Sequence, residues 1–120
     1  MDVGQWQTQL QLSPAIAVIR APTVALGRGM ALAAAAAGIR FIEITWTSDR
    51  PALLIEQLRS QLSHCWVGAG TLLSAKDIDS AIAAGAEFCF MPHTDPALIT
   101  RVQQQGLPVI PGAATPTEIV

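Results

Sequence analysis

Basic residues are scarce in this sequence, and they do not cluster. Lys and Arg together number 7 of 120 residues, all charged residues make up 13%, and the formal net charge is -2. A protein that binds nucleic acid or an anionic membrane surface needs a patch of positive charge. The sequence therefore predicts neither nucleic acid nor a membrane as a partner.

Long hydrophobic runs are also missing. The most hydrophobic window, residues 30–39, is mostly alanine and lies between Arg28 and Arg40, whereas a helix needs about 20 apolar residues to span a bilayer. The N-terminus has neither a basic start nor an apolar stretch, so no secretory signal is expected.

Cysteine is limited to Cys65 and Cys89, which do not form a C-x-x-C motif. Isolated cysteines are typical of buried thiols in the reducing cytoplasm, although their spacing leaves a disulfide open. The His, Cys and Asp residues are not clustered at the spacing of metal ligands. We therefore expect a cytoplasmic protein that holds no metal and needs no cofactor.

What the sequence does contain is a repeating strand-and-helix pattern, and 51% of its residues are hydrophobic. Short apolar segments predict five strands, at residues 15–20, 39–47, 67–71, 87–92 and 108–112. Helical patterns precede the first strand and separate the others. The intervals are typical of β/α units in a barrel or in an open parallel sheet, and periodicity alone does not separate the two.

Helix-capping residues support this division of the chain. Ser48 or Asp49 is the expected N-cap of the third helix, Ser74 of the fourth and Asp95 of the fifth. A complete capping box, Thr115-Pro116-Thr117-Glu118, predicts the start of another helix. The sequence ends at Val120, two residues after this box. This pattern predicts a chain cut short.

The second strand carries an acidic residue in its middle. Because side chains alternate along a strand, Phe41, Glu43, Thr45 and Thr47 share one face, and the residues between them form an apolar face. In a parallel barrel the apolar face packs under helices, and the other face points inward, toward a site at the strand C-termini. The Glu43 side chain is therefore expected to point into the interior of the barrel.

Several motifs together resemble one enzyme family, the 2-keto-3-deoxy-6-phosphogluconate (KDPG) aldolases, which also act on 4-hydroxy-2-oxoglutarate. They occur in the family's order and cover nearly the whole chain: Ala17-Val18-Ile19-Arg20-Ala21, Ile42-Glu43-Ile44-Thr45, Val67-Gly68-Ala69-Gly70-Thr71, Gly85-Ala86-Glu87-Phe88, Pro92-His93 and Pro111-Gly112-Ala113-Ala114-Thr115-Pro116-Thr117-Glu118.

The resemblance implies an α/β fold of the (β/α)8 TIM-barrel type. Residues 1–120 would form the N-terminal part of a single barrel domain, about its first five β/α units, and the full-length protein would be a homotrimer. It also implies class I aldolase chemistry, in which a lysine forms a Schiff base with pyruvate. The substrate would be a small 2-oxoacid cleaved to pyruvate and an aldehyde.

By the same resemblance, Glu43 falls on the family's general acid/base and Arg20 on an arginine that binds a substrate anion. The chemistry needs a proton relay, and guanidinium suits carboxylate or phosphate. The alternative is a structural ion pair between the two residues.

Three more positions match substrate-binding residues of the family. Thr71, beside Gly70, corresponds to a threonine that helps to bind the pyruvate carboxylate, and Pro92 is expected to line the mouth of the site. The alternative reading of this glycine pair as a dinucleotide loop fails, because Leu73 stands where a third glycine belongs.

Two departures from the family weaken the match. Thr47 stands where much of the family has a substrate-binding arginine, although some members have threonine there. The Schiff-base lysine of the family lies on the sixth strand, and the only lysine in this sequence is Lys76, for which we expect a surface position. His64 and His93 are expected at the surface and near the fourth strand, respectively.

Two other functions stay open at this point. One is a non-catalytic half-barrel remnant that binds small oxoacids or a partner, since the nucleophile is missing and the sheet would have exposed edges. The other is a different phosphate-handling barrel, such as a sugar-phosphate isomerase, which fold analogy permits.

Overall fold

The computed structural model describes residues 2–119, which fold as strands alternating with helices. In chain order the elements are α1 (Val3–Leu12), β1 (Ile16–Ile19), α2 (Val24–Ala36), β2 (Phe41–Thr45), α3 (Pro51–Gln61), β3 (Trp66–Gly70), α4 (Ala75–Ala84), β4 (Cys89–Met91), α5 (Pro96–Gln104), β5 (Val109–Pro111) and α6 (Pro116–Ile119). All five predicted strands are present: β1, β2, β4 and β5 are shorter than the apolar segments that predicted them, and β3 has the predicted length but begins one residue earlier, at Trp66.

The strands form one parallel sheet in the order β1-β2-β3-β4-β5. Each strand pairs with the next one in sequence, with a helix in between, which is the topology of consecutive β/α units of a barrel. Within the described residues, β1 and β5 each pair on one side only. The five units thus form an open sheet that has the strand order of a barrel.

One face of the sheet is covered by helices. Ile42 and Ile44 of β2 and Val67 of β3 pack with residues of α2, α3, α4 and α5 in the larger of two apolar clusters. These strand residues are fully buried, and so are Leu54, Ile55 and Leu58 of α3. Because helices cover this face of the sheet, strand side chains that contact a ligand are expected on the opposite face.

The opposite face carries a smaller aromatic cluster, which we call the aromatic floor: Trp6, Phe41 and Phe88. Trp6 lies on α1, and its ring is 5.7 Å from that of Phe41 and 5.6 Å from that of Phe88, measured between centroids. Phe41 is the first residue of β2. The floor therefore lies at the N-terminal end of β2, and α1 covers it.

Two of the three predicted caps are correct. Ser74 accepts a hydrogen bond from the backbone N–H of Asp77, and Asp95 accepts from those of Ala97 and Leu98. The prediction for α3 was wrong: its N-cap is Arg50, which has a left-handed backbone with φ of 41° and makes no capping hydrogen bond through its side chain.

Among residues 2–119, no helix combines the length and the apolar character that crossing a bilayer requires.

Candidate active site

Glu43 lies in the middle of β2 and is only 7% exposed. It is in register with Val18 on β1 and with Gly68 on β3. Its carboxyl group lies farther along β3, against Gly70, where an added Cβ would be 1.6 Å from Glu43 Oε1. The side chain therefore leans toward the C-terminal end of the sheet and occupies space that only glycine leaves free.

Burial raises the pKa of Glu43 above its ordinary value, and the positive charge of Arg20 opposes this with a smaller effect. Among the described residues, Glu43 forms no ion pair and accepts no hydrogen bond. The proposed structural ion pair with Arg20, which is exposed directly after β1, is therefore not formed. A carboxyl group without such partners is free to exchange a proton with a ligand.

A cluster of three hydroxyl groups follows Glu43 along the chain. Thr45 is 1% exposed, and its Oγ1 is 3.1 Å from that of Thr47 and 3.2 Å from Ser48 Oγ. Glu43, Thr45 and Ser48 are the buried polar or charged side chains of residues 2–119. The concentration of buried polar groups within one short segment marks the C-terminal end of β2 as a polar site in an otherwise apolar core.

Ser48 also connects this segment to the end of β1. Its Oγ accepts a hydrogen bond from the backbone N–H of Ala21 at 3.2 Å and donates to the carbonyl of Ile19 at 3.4 Å. These two contacts lie on either side of Arg20. Ser48 therefore bonds to the end of β1 and not to α3, and it holds the backbone that carries Arg20. Asp49, the other predicted cap, pairs through its carboxylate with Arg50 at 3.3 Å. Sequence reasoning missed this role because the contact spans β1 and β2.

Thr71 follows β3 with φ of 55°. A β-branched residue in the left-handed region is uncommon and strained, and such conformations concentrate at functional sites. Thr71 is partly buried, directly after the glycine that accommodates the Glu43 carboxyl group. The sequence places it at the site, but its backbone conformation is visible only in the structure.

The loops after β4 and β5 are joined close to the same end of the sheet. An added Cβ on Gly112 would be 2.3 Å from the carbonyl oxygen of Pro92. The Gly112 N–H donates to the carbonyl of Met91 at 2.8 Å, and Thr94 Oγ1 donates to the carbonyl of Gly112 at 2.6 Å. Thr94 was not identified from the sequence, because its partner is distant in the chain.

Most predicted site residues thus follow successive strands of one parallel sheet: Arg20 after β1, Thr47 after β2, Thr71 after β3 and Pro92 after β4. The C-terminal ends of parallel strands lie at one edge, so these residues share that edge with Glu43. Arg20, Thr47 and Pro92 are exposed there.

The remaining candidates lie elsewhere or point to solvent. Lys76 is exposed in the first turn of α4, as expected for a surface lysine, and His64 and His93 are exposed as well. In the part of the chain that the structure describes, no group of three or more His, Cys, Asp or Glu side chains is arranged to hold a metal ion. The chemistry that these residues support is anion binding and proton transfer.

Comparison with known proteins yields consistent matches. A sequence model of the family described as "Aldolase: KDPG and KHG aldolase" matches residues 7–120. The 2-dehydro-3-deoxy-phosphogluconate aldolase of Treponema pallidum is 37% identical over 82 residues, which cover 68% of this chain and 39% of that protein. The KHG/KDPG aldolase of Escherichia coli K12 is 28% identical over 119 residues, 96% of this chain and 56% of its own length.

Solved structures agree. The 2-keto-3-deoxy-6-phosphogluconate aldolase of Zymomonas mobilis superposes with a TM-score of 0.86 at 27% identity, over 99% of this chain and 56% of that one. The KDPG aldolase of Legionella pneumophila, solved with pyruvate captured as a covalent carbinolamine, gives a TM-score of 0.73 at 31% identity, over 89% and 52% of the two chains. The chain spans roughly half the length of these relatives.

Proposed function

Because the chain belongs to the KDPG and KHG aldolase family, we propose that it is the proton-transferring half of a class I aldolase site. The proposed reaction cleaves 2-keto-3-deoxy-6-phosphogluconate or 4-hydroxy-2-oxoglutarate to pyruvate and an aldehyde. Residues 1–120 are proposed to be the N-terminal part of one barrel domain. The single observation that carries the proposal is Glu43 at the C-terminal edge of the sheet, a buried carboxyl group with raised pKa and, among residues 2–119, no ion-pair partner.

The proposed role of Glu43 is to move protons. A lysine amine that attacks the 2-oxo group must lose protons, and the carbonyl oxygen must leave as water, which needs an acid and a base in turn. Cleavage of the C–C bond then requires removal of the proton from the substrate hydroxyl. A carboxyl group whose pKa is raised toward the working pH serves both directions of transfer.

Arg20, Thr47, Gly70, Thr71 and Pro92 are proposed to bind the substrate. The Arg20 guanidinium supplies the positive charge for a carboxylate or phosphate. Thr71 follows Gly70, against which the Glu43 carboxyl group lies, and its proposed role is to bind the pyruvate carboxylate. Thr47, in place of the arginine common in the family, contributes a hydroxyl without charge, so Arg20 carries most of the anion binding.

The nucleophile is proposed to come from a strand that follows these five. Lys76 is exposed on the helical side of the sheet, whereas the Schiff base has to form next to Glu43. The two unpaired sheet edges are the places where further strands of a barrel would pair. No cofactor is needed for this chemistry, because the protonated imine accepts the electron pair of the broken C–C bond and becomes an enamine.

Assembly and location are part of the proposal. We expect a homotrimer for the full-length protein, and a similar chain occurs in a protein cage "designed by fusing symmetric oligomeric domains". We expect a cytoplasmic location, for which the free, buried thiols of Cys65 and Cys89 are the supporting observation.

The proposal is tested by joining the two halves of the site. The chain is co-expressed with the C-terminal half of the Escherichia coli aldolase, and the purified complex is treated with pyruvate and borohydride, which traps a Schiff base. We expect an adduct on a lysine of the added half, together with KDPG cleavage. Glu43→Gln should lower kcat by about 10²- to 10⁴-fold, and Glu56→Gln, an exposed glutamate on α3, should leave it unchanged.

The second candidate function is a non-catalytic half-barrel that binds small oxoacids or a partner, and the exposed position of Lys76 favours it. A stable complex that binds pyruvate but forms no adduct would support this alternative. Equal cleavage by the wild type and the Glu43→Gln variant would overturn the proposed role of Glu43.

A further inference from the structure

A cavity lies at the end of the sheet opposite to the candidate active site, at the N-terminal ends of the strands. Its volume is about 560 Å³, and the polar and aromatic residues that line it include Ser13, Arg40, Arg59, His64, Trp66 and Glu87. We call it the strand-base pocket. Its size is within the range of small-molecule sites. It is built by the starts of β2, β3 and β4 together with the C-terminal ends of α1 and α3.

The unpaired edges of the sheet do not form this cavity. Trp66, which lines it, is the first residue of β3, the central strand of the sheet, while Arg40 directly precedes β2 and Glu87 lies two residues before β4. Arg40 directly precedes Phe41, the completely buried first residue of β2, whereas the Glu43 carboxyl group lies against Gly70, the last residue of β3, so the pocket and the candidate active site lie at opposite ends of these strands. The pocket is therefore a site of its own.

The lining contains two arginines and a single carboxylate, that of Glu87, beside polar and apolar residues. Arg40 donates to the backbone carbonyl of His64 at 3.4 Å and has no carboxylate partner among the described residues. Arg59 pairs with Glu87 at 3.3 Å, and Glu87 also accepts from the Val67 N–H at 3.0 Å. The one lining carboxylate is thus already occupied, while the Arg40 guanidinium keeps most of its five donors.

From this arrangement we propose that the strand-base pocket binds a small anion bearing phosphate or carboxylate groups. The Arg40 guanidinium makes the principal contact, because charge-assisted hydrogen bonds to such anions are the strong ones. Arg59, His64 and the hydroxyl group of Ser13 add further donors. This site is independent of the aldolase proposal, since none of its residues belongs to the C-terminal edge of the sheet.

The tryptophans make the test specific. Trp66 lines the pocket, Trp46 follows β2 near the candidate active site, and Trp6 lies in the aromatic floor. The indole N–H signals of the chain, labelled with ¹⁵N, are followed by NMR during titration with inorganic phosphate and, separately, with citrate, at constant ionic strength set by chloride. We expect a saturable shift of the Trp66 signal, with half-saturation on the order of 1 mM.

Matched arginine variants identify the contact. Arg40→Gln should raise the half-saturating concentration about tenfold, the effect of losing a charge-assisted hydrogen bond. Arg28→Gln, an exposed arginine on α2, should leave it unchanged, and an undisturbed Trp6 signal verifies that both variants are folded. Saturation by phosphate alone or by citrate alone would support the proposal and identify the preferred anionic group.

Three results would overturn the proposal. The first is a Trp66 signal that shifts no more with phosphate or citrate than with chloride. The second is equal affinity of the wild type and the Arg40→Gln variant. The third is a shift confined to Trp46. It would place anion binding at the C-terminal edge of the sheet, near Arg20, which would support the aldolase proposal and contradict binding in the strand-base pocket. Failure of the aldolase proposal, conversely, would leave the Trp66 titration unaffected.

Discussion

Gly70 determines where the Glu43 carboxyl group can lie. We predict that Gly70→Ala destabilises the fold by about 1 to 3 kcal/mol, because the new Cβ, 1.6 Å from Oε1, displaces a buried side chain. Urea denaturation measures the effect. Gly29→Ala is the control, since within residues 2–119 its added Cβ meets no atom within 4 Å apart from its chain neighbours and the adjacent backbone of its own helix, and alanine favours the helix by about 0.5 to 1 kcal/mol. Equal effects of both substitutions would contradict the prediction.

The charge of Glu43 reduces the stability of the fold. Because its folded pKa is raised above the ordinary value of 4.5, the folded protein holds this proton more tightly than the unfolded chain, and stability falls as pH rises from 4.5 to the folded pKa. Glu43→Gln removes this loss. We therefore predict that the variant has a higher free energy of unfolding than the wild type. This difference grows as the pH rises from 4.5 to the folded pKa of Glu43, and it is constant at higher pH.

Urea denaturation from pH 4 to pH 8 measures this gain. Glu56→Gln is the matched control, because Glu56 is exposed on α3, and its difference from the wild type should not change in the same way. A gain for Glu43→Gln that is independent of pH would show that Glu43 folds with an unperturbed pKa.

At the scale of elements, α1 covers the N-terminal end of the sheet mainly through Trp6, with Leu10 packed beside the aromatic floor. Trp6 is 6% exposed and contacts Phe41 and Phe88 edge-on or tilted. We predict that Trp6→Ala lowers the free energy of unfolding by about 3 to 5 kcal/mol, because it opens a cavity in the aromatic floor.

The Trp6→Phe variant distinguishes the contribution of aromatic packing to stability from that of the indole N–H. Within residues 2–119 the buried Trp6 Nε1 has no hydrogen-bond partner, so phenylalanine removes an unsatisfied donor while it keeps an aromatic ring. Its cost should be below about 1.5 kcal/mol, measured by the same urea denaturation. A cost close to that of alanine would contradict this prediction.

At the scale of the whole molecule, the open sheet edges govern association. Exposed strand edges pair with other chains, and charge on an edge strand prevents this. Val18 is 58% exposed on β1. We predict that the mean mass of the isolated chain rises with concentration in light-scattering measurements, and that Val18→Lys reduces this rise.

Leu32→Lys is the control for added charge, since Leu32 is an exposed residue of α2 that is 37% accessible. Its effect on the mean mass should be small. If both lysine variants associate like the wild type, the β1 edge is not the surface through which copies meet.

Local sequence signals determined most of the architecture. Alternating apolar segments and the caps Ser74 and Asp95 placed the strands and two helix starts correctly, because a capping side chain bonds to backbone only two or three residues away. The β/α repeat alone did not distinguish a barrel from an open sheet. It was the resemblance of the motifs to the KDPG aldolase family that indicated the barrel.

Tertiary structure alone decided how the site is assembled. Three features of the site depend on contacts between neighbouring strands. They are the position of the Glu43 side chain against Gly70, the left-handed backbone of Thr71, and the hydrogen bonds from Ser48 to the backbone on either side of Arg20. Sequence spacing does not encode such contacts, because the register that brings two strands together is set by the packing of the entire sheet. For the same reason Ser48, a good capping residue by local rules, forms its hydrogen bonds at the end of β1, and Arg50 is the N-cap of α3.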